Sequence, residues 1–269
     1  MALSWDSLRS TRDNNPPICT FYAGAKNGKT TLASEFPSPY YCRTGEGENA
    51  PRGVDMVSFG VSESYTDVTD QMDWMLDAEH DCKTFVVDSL DGLEQLIRAH
   101  VCAINGWPDI ESPGFGKGYS AELAIWHEFV RKCLKLKAGG FYVVLIAHVK
   151  SKTVPGVTTD SYPRWMPNLR DDAIGAIVDA SDLIGFLHQR VSIQKEEVGF
   201  KKVNKRGAGG GEILIAVQER PGFIAGNRLK IPKDTLPFKE GQGFKVLSQY
   251  FPDAGPPVED EEPNEQPEE

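Results

Sequence analysis

The chain has no long hydrophobic run: none of its apolar stretches reaches the length that a membrane-spanning helix needs. Its first residues, Met1 to Pro17, are polar and hold nothing like the apolar core of a secretory leader. Cysteine is sparse. The five present (Cys19, Cys42, Cys82, Cys102, Cys133) are scattered, odd in number and form no C-x-x-C pair. That spacing argues against a disulfide framework or a zinc site and fits a reducing cytosol. Internal repeats are absent. One segment has no base at all: residues 252–269 carry eight acids, and setting them aside takes the net charge from −10 to −2. A nearly neutral body neither requires nor forbids a nucleic-acid partner.

What remains is ordinary globular material. At 40% hydrophobic and 25% charged residues, the 269-residue chain can bury a core without a metal or a disulfide. The expected organisation is a polar arm over 1–16, a domain over 17–251 and a Pro- and Glu-rich tail over 252–269 that reads as disordered.

Apolar runs predict strands at 18–22, 40–43, 84–88, 141–147, 182–188 and 213–217, with a further one at Met56–Phe59. Helical spacing predicts helices from Lys29 to about Phe36, at 65–77, about 91–104, about 120–138 and about 170–180. Residues 105–118 read as a Gly/Pro-rich loop, 149–167 as a long polar loop, and 190–206 as a basic stretch. Strands alternating with helices predict an α/β fold, with a mostly parallel central sheet covered on both faces.

The run Ala23-Gly24-Ala25-Lys26-Asn27-Gly28-Lys29-Thr30-Thr31 follows the first strand and opens a helix. This context is the one a phosphate-binding loop needs, because backbone N–H groups around such a loop converge on phosphate oxygens. Lys29 would reach the β- and γ-phosphates, and Thr30 would ligate magnesium through its hydroxyl. Gly28 lets the backbone approach the anion. Ala23 and Lys26 stand where glycine is usual. The competing explanation is a basic surface turn.

Thr84-Phe-Val-Val-Asp88 is an apolar strand ending in an acid, which suits Asp88 to the magnesium shell. The structural alternative is a helix cap by Asp88, Ser89 or Asp91. Glu46, in a Gly-flanked turn after the second strand, is the candidate to activate water, and Glu48 is the competing choice. A solvated acidic turn would look the same. His148 ends the most apolar strand, where it could sense the γ-phosphate, or be a structural histidine.

These residues resemble the compact phage-type RecA-like ATPases that act as single-strand annealing recombinases. The resemblance is carried by Gly28-Lys-Thr-Thr-Leu-Ala-Ser-Glu-Phe-Pro37, Val86-Val-Asp-Ser-Leu-Asp-Gly-Leu-Glu94, Gly114-Phe-Gly-Lys-Gly-Tyr119, Leu145-Ile-Ala-His148, Gly209-Gly-Gly-Glu212, Glu219-Arg-Pro221 and Asn227-Arg228. It implies a RecA-like core, ATP and Mg2+, and single-stranded DNA. It also implies a homo-oligomer, ring or filament, with a single-strand-binding protein as a further partner. The location it implies is the cytoplasm, that of a host cell if the chain is phage-encoded. It assigns Lys29 and Thr30 to phosphate and metal, Asp88 to metal, Glu46 to water and His148 to sensing. The turn reads Arg43-Thr-Gly-Glu46 where Asp-Thr-Glu is common, which implies slow turnover and nucleotide acting as an assembly switch.

By chain order, the two DNA loops of RecA-like proteins map to 105–119, with Trp107, Phe115, Lys117 and Tyr119, and to 149–170, with Lys150, Lys152, Arg164, Trp165 and Arg170. Bases stack on such aromatics beside cations. The alternative is aromatics packed under a loop and solvated lysines. Arg206 is the candidate cation reaching a neighbour's γ-phosphate, against a plain basic hairpin. A ring helicase or other DNA motor, and a nucleotide-switched assembly protein without DNA, are the rival functions.

Overall fold

Six residues, Ile18–Ala23, form β1, and all six are buried. A strand buried on both faces belongs inside a sheet with parallel neighbours. In this computed structural model the described residues are 13–156, 159–190, 192–197, 203–208 and 211–252. The acidic tail from Asp253 and most of the polar arm lie outside them.

The chain continues through α1 (Lys29–Ser34), β2 (Pro39–Arg43), α2 (Tyr65–Asp77), β3 (Thr84–Asp88), α3 (Leu90–Asn105) and α4 (Lys117–Ala138). Then follow β4 (Tyr142–Val154), β5 (Tyr162–Pro167), α5 (Asp171–Ala180), β6 (Leu183–Gln189), β7 (Ser192–Glu197) and β8 (Val203–Ala208). The last elements are β9 (Ile213–Ala216), β10 (Gly226–Asn227), β11 (Thr235–Phe238) and α6 (Gly243–Ser248). The sheet order is β2-β3-β4-β1-β6-β9-β11. Its β2-to-β6 half is parallel, with β1 between β4 and β6. Beyond β6 the pairing turns antiparallel.

Alternate residues of each strand face opposite ways. Ile18, Tyr22, Phe85, Val87, Val143 and Leu145 meet α2, α3, α4 and α5 through Val68, Leu93, Phe129 and Ile177. Cys19, Phe21, Val86, Val144 and Ile146 meet α1 and α6 through Leu32 and Leu247. Among the described residues, no helix is long and apolar enough to cross a membrane.

Two expectations need correcting. Met56–Phe59 forms no strand; it pairs with β2 at the isolated bridge Tyr40↔Val57, and Val57 and Phe59 are exposed. The polar loop expected over 149–167 is instead an antiparallel ribbon, because β4 runs on to Val154 and pairs with β5 from Val149↔Pro167 to Val154↔Tyr162. Polarity misled there: a ribbon standing off the sheet needs no continuous apolar face, and β-branched Val149, Thr153 and Val154 suit an extended backbone. The strands β10 and β11 and the helix α6, beyond residue 217, complete the sheet edge and one face.

Candidate functional site

The loop after β1 sits where parallel strands end side by side, with Ala23 opposite His148 of β4 and Leu187 of β6. Such a strand-end crevice is where open α/β sheets bind ligands. Lys26 and Gly28 take positive φ values of 60° and 79°. At Gly28 glycine is doubly required, since a Cβ there would lie 2.6 Å from Phe238 Cε1. The Lys29 amine donates to the carbonyls of Gly24 at 3.0 Å and Ala23 at 3.3 Å. Burial pulls the pKa of Lys29 down, opposed by Asp88, Asp91 and Glu48.

Asp88, at the end of β3, is buried. Its Oδ2 accepts from Thr30 Oγ1 and from the Tyr41 hydroxyl, each at 2.7 Å. The sequence reading passed over Tyr41. Its signal was strand parity: Tyr41 pairs with Val86 in a sheet whose next residue on that face of β3 is Asp88. Burial raises the Tyr41 phenol's pKa well above its ordinary value, and the carboxylate of Asp88 adds to the effect.

Lys26, Asn27, Gly28, Lys29, Thr30 and Thr31 line a cleft of about 420 Å³ together with Glu48, Asp88 and His148. Ala23 and Gly24 do not line it; they contribute carbonyls to Lys29 instead. Glu46 is also outside it, exposed at the corner of a turn closed by Glu48 N donating to Gly45 O at 3.2 Å. The same turn returns Glu48 to the cleft, where Arg43 Nε donates to its carbonyl. Of the two acids weighed for water activation, the one that faces the cleft is Glu48, the competing choice, and not Glu46. Burial raises the Glu48 carboxyl's pKa, and Asp88 raises it further, while the Ser89 hydroxyl opposes them.

Asp91 clamps His148. Its Oδ1 accepts from the His148 N–H at 2.7 Å, and its Oδ2 lies 2.8 Å from His148 Nδ1 and from Ser89 Oγ. The hydrogen bond to Asp91 raises the His148 pKa. Burial opposes ionisation of Asp91, but these partners outweigh it and hold the carboxyl below the usual range. Glu48, Asp91 and His148 offer ligand atoms within 4.8 Å of one another, a grouping that could also hold a cation.

A second cleft, of about 560 Å³, adjoins the first through Lys26, Gly28 and Thr31 and is walled by Glu212, Pro237 and Phe238. Phe238 lies 210 residues from Gly28 in sequence, and nothing local marks it.

The residues expected at nucleic acid are more scattered. Trp107 is partly buried and packs against the core instead of standing free in the loop. Phe115 is fully exposed, between the left-handed Gly114 and Gly116, and is left-handed itself at φ 50°. Lys117 is exposed at the start of α4. The remaining cations already have internal partners. Lys150 donates to Leu169 O, Lys152 pairs with Asp171, and Arg164 pairs with Glu219. Arg170 lies 3.3 Å from Asp172 and stacks 3.7 Å over the Tyr119 ring. Arg206 stands opposite Gln194 in the β7–β8 ribbon, and its side chain lies outside the described part of the structure.

A glycine-bearing loop between β1 and α1, a buried lysine over it and a hydroxyl–carboxylate pair formed by Thr30 at the start of α1 and Asp88 at the end of β3 define a P-loop nucleotide-hydrolase core. A protein-family model described as an AAA domain matches residues 15–229, and the chain belongs to that family of AAA-type, ATPase-like P-loop domains. No curated protein matches the chain.

Proposed function

We propose that this chain is a magnesium-dependent ATPase that assembles with its own copies on single-stranded DNA and promotes strand annealing or pairing in homologous recombination. One observation carries the catalytic half: the Lys29 amine, the Thr30–Asp88 pair and the Asp91-clamped His148 converge on one cleft. The cleft fits a metal–triphosphate group, because among the described residues the buried Lys29 amine has two backbone carbonyls, and no carboxylate, as hydrogen-bond partners. Lys29 exchanges those carbonyls for phosphate oxygens. Thr30 and Asp88 would hold the metal's shell, and Mg2+ bound there would supply neutralisation of charge on the phosphates. Glu48 takes the proton of the attacking water, and its raised pKa makes it a stronger base. The nucleoside half lies over Phe238, in the adjoining cleft.

His148 connects this chemistry to the β4–β5 ribbon, since its carbonyl accepts from Asn168 N at 2.8 Å just after β5. The DNA half rests on that ribbon beside the cleft, on exposed Phe115 and Lys117, and on the family resemblance. On this reading residues 17–251 act as one ATPase unit in the cytoplasm, and the acidic tail competes with DNA for basic loops. The internal pairing of Lys150, Lys152, Arg164 and Arg170 favours a second reading, a nucleotide-switched assembly protein without DNA.

The test is single-strand binding with ATP, with ADP and without nucleotide, on wild type and Lys29→Ala. ATP should change binding for the wild type only. Absence of single-strand binding at low salt in every state would leave the second reading. Calorimetry finding no affinity for adenine nucleotide with magnesium would remove both.

A further inference from the structure

On the far side of the phosphate loop lies another cleft, of about 550 Å³, reached by Gly24 and Asn27 of the loop. Its walls are Trp165 of β5, Phe186 and His188 of β6, Phe223 and the exposed Gln189. The rings form a graded stack. Phe186 lies 4.8 Å from Tyr22 at 17°, 5.3 Å from His188 at 29° and 5.5 Å from Phe223 at 41°. Trp165, 46% exposed, stands at the mouth.

The walls are tied together through backbone. Trp165 N donates to Gly222 O at 2.8 Å, and Ile224 N donates to Trp165 O at 3.1 Å. The buried Tyr22 hydroxyl donates to Ile224 O at 2.6 Å. The aromatic faces are thus set before any ligand arrives.

Charge separates this cleft from its neighbours. The phosphate cleft includes Glu48 and Asp88, the one under the β4–β5 ribbon Asp171 and Glu219, and the one at Phe238 Glu212 and Glu240. Among the described residues, no carboxylate lines the aromatic cleft. Flat aromatic faces, amide groups at Asn27 and Gln189 for ring edges, and no acid to repel a polyanion together describe a seat for an unstacked nucleobase.

We propose that this cleft stacks a base of single-stranded nucleic acid between Trp165 and the Phe186–His188–Phe223 wall. The assignment rests on the single-strand reading above and supplies its site. Its ligand chemistry is independent of the internally paired cations of the β4–β5 ribbon. Because Gly24 and Asn27 belong to both the cleft wall and the phosphate loop, occupancy of either side bears on the other.

The experiment titrates the full chain with a thymidine oligonucleotide in Mg-ATP and follows tryptophan emission. The wild type should be quenched. Trp165→Phe should lose the quench yet bind within a few-fold, because a ring remains. Trp165→Ala with Phe223→Ala should weaken strand binding about tenfold or more, while binding Mg-ATP as the wild type does, which shows it folded. The proposal is overturned if that double variant binds the strand like wild type. It is also overturned if sedimentation shows the variant losing self-association with strand affinity intact, which would make the cleft a contact for a second copy. A wild type that binds no oligonucleotide at low salt would instead bring down the single-strand reading itself, and that failure is visible before any variant is made.

Discussion

On one side of the phosphate loop lies a cleft of charges, with Lys29, Thr30, Glu48, Asp88 and His148 around it. On the other lies a cleft of rings, with Trp165, Phe186, His188 and Phe223. The first draws each residue from the end of a parallel strand or the turn after it. Lys29 follows β1, Glu48 follows β2, Asp88 ends β3, and His148 sits on β4 opposite Ala23. Parallel strands bring their ends together by construction, so each functional residue keeps a local signature of apolar run and polar stop. The second cleft joins β6 to a ribbon and a coil from distant parts of the chain. Its rings look like any core aromatics until the backbone ties them together.

The contrast is broken most directly at Lys29. Lys29→Ala should weaken Mg-ATP binding by about 100-fold, the scale of losing hydrogen bonds from a charged donor. It should not lower the thermal midpoint, since it removes a buried amine whose burial already opposes its charge. Calorimetry and thermal melts read both. Unchanged nucleotide affinity would mean that the charged cleft is not the nucleotide site.

A smaller effect is expected at Gly28. Alanine there takes a left-handed backbone and meets Phe238 at 2.6 Å, within a buried ring contact. The cost should be about 2 kcal/mol of unfolding free energy. Gly47→Ala is the internal comparison: no heavy atom lies within 4 Å of its built Cβ, so the change should stay within about 0.5 kcal/mol. Equal effects in urea titrations would show that the loop's conformation does not depend on Gly28.

The parallel half of the fold was legible because its strands are buried on both faces. The helix over 65–77 was predicted at the bounds it has from Val68, Met72, Met75 and Leu76 on one face; the Ser64 cap that fixes its start is a finding of the structure. The β4–β5 ribbon was not legible, because its β4 half carries the polar run Lys150, Ser151 and Lys152 and its β5 half holds two prolines, Pro163 and Pro167, which argue against a strand. Glu48 was kept only as the rival of Glu46, because two acids flanking one glycine differ in nothing local. A backbone turn and Arg43 decide between them. Phe238 was invisible for a different reason: its role is to fill space beside a glycine far away in sequence.

The smallest expected effect concerns the clamp between the two halves of the charged cleft. The pKa of His148 is raised by its hydrogen bond to Asp91, so the folded state holds a proton that the unfolded state releases. That contribution is fully present below the unfolded histidine value of about 6.5 and is lost as pH rises through the folded value. The pKa of Asp91 is depressed, so its contribution is present above the unfolded value of about 3.9 and is lost as pH falls through the folded one. The gap in thermal midpoint between wild type and Asp91→Asn should therefore be widest near pH 5–6.5. It should narrow toward pH 9 and again in acid. The gap should be small throughout, because the His148 side chain is 38% exposed and water screens the pair. Part of the gap should survive at pH 9, where the Asp91 carboxylate still accepts from the His148 backbone N–H and from Ser89 Oγ as a charged acceptor with two oxygens, which asparagine is not. Melts at fixed ionic strength decide the matter: a gap that stays flat from pH 5 to pH 9 would make the clamp a neutral contact, and His148 would then carry no charge to the phosphate end of the cleft.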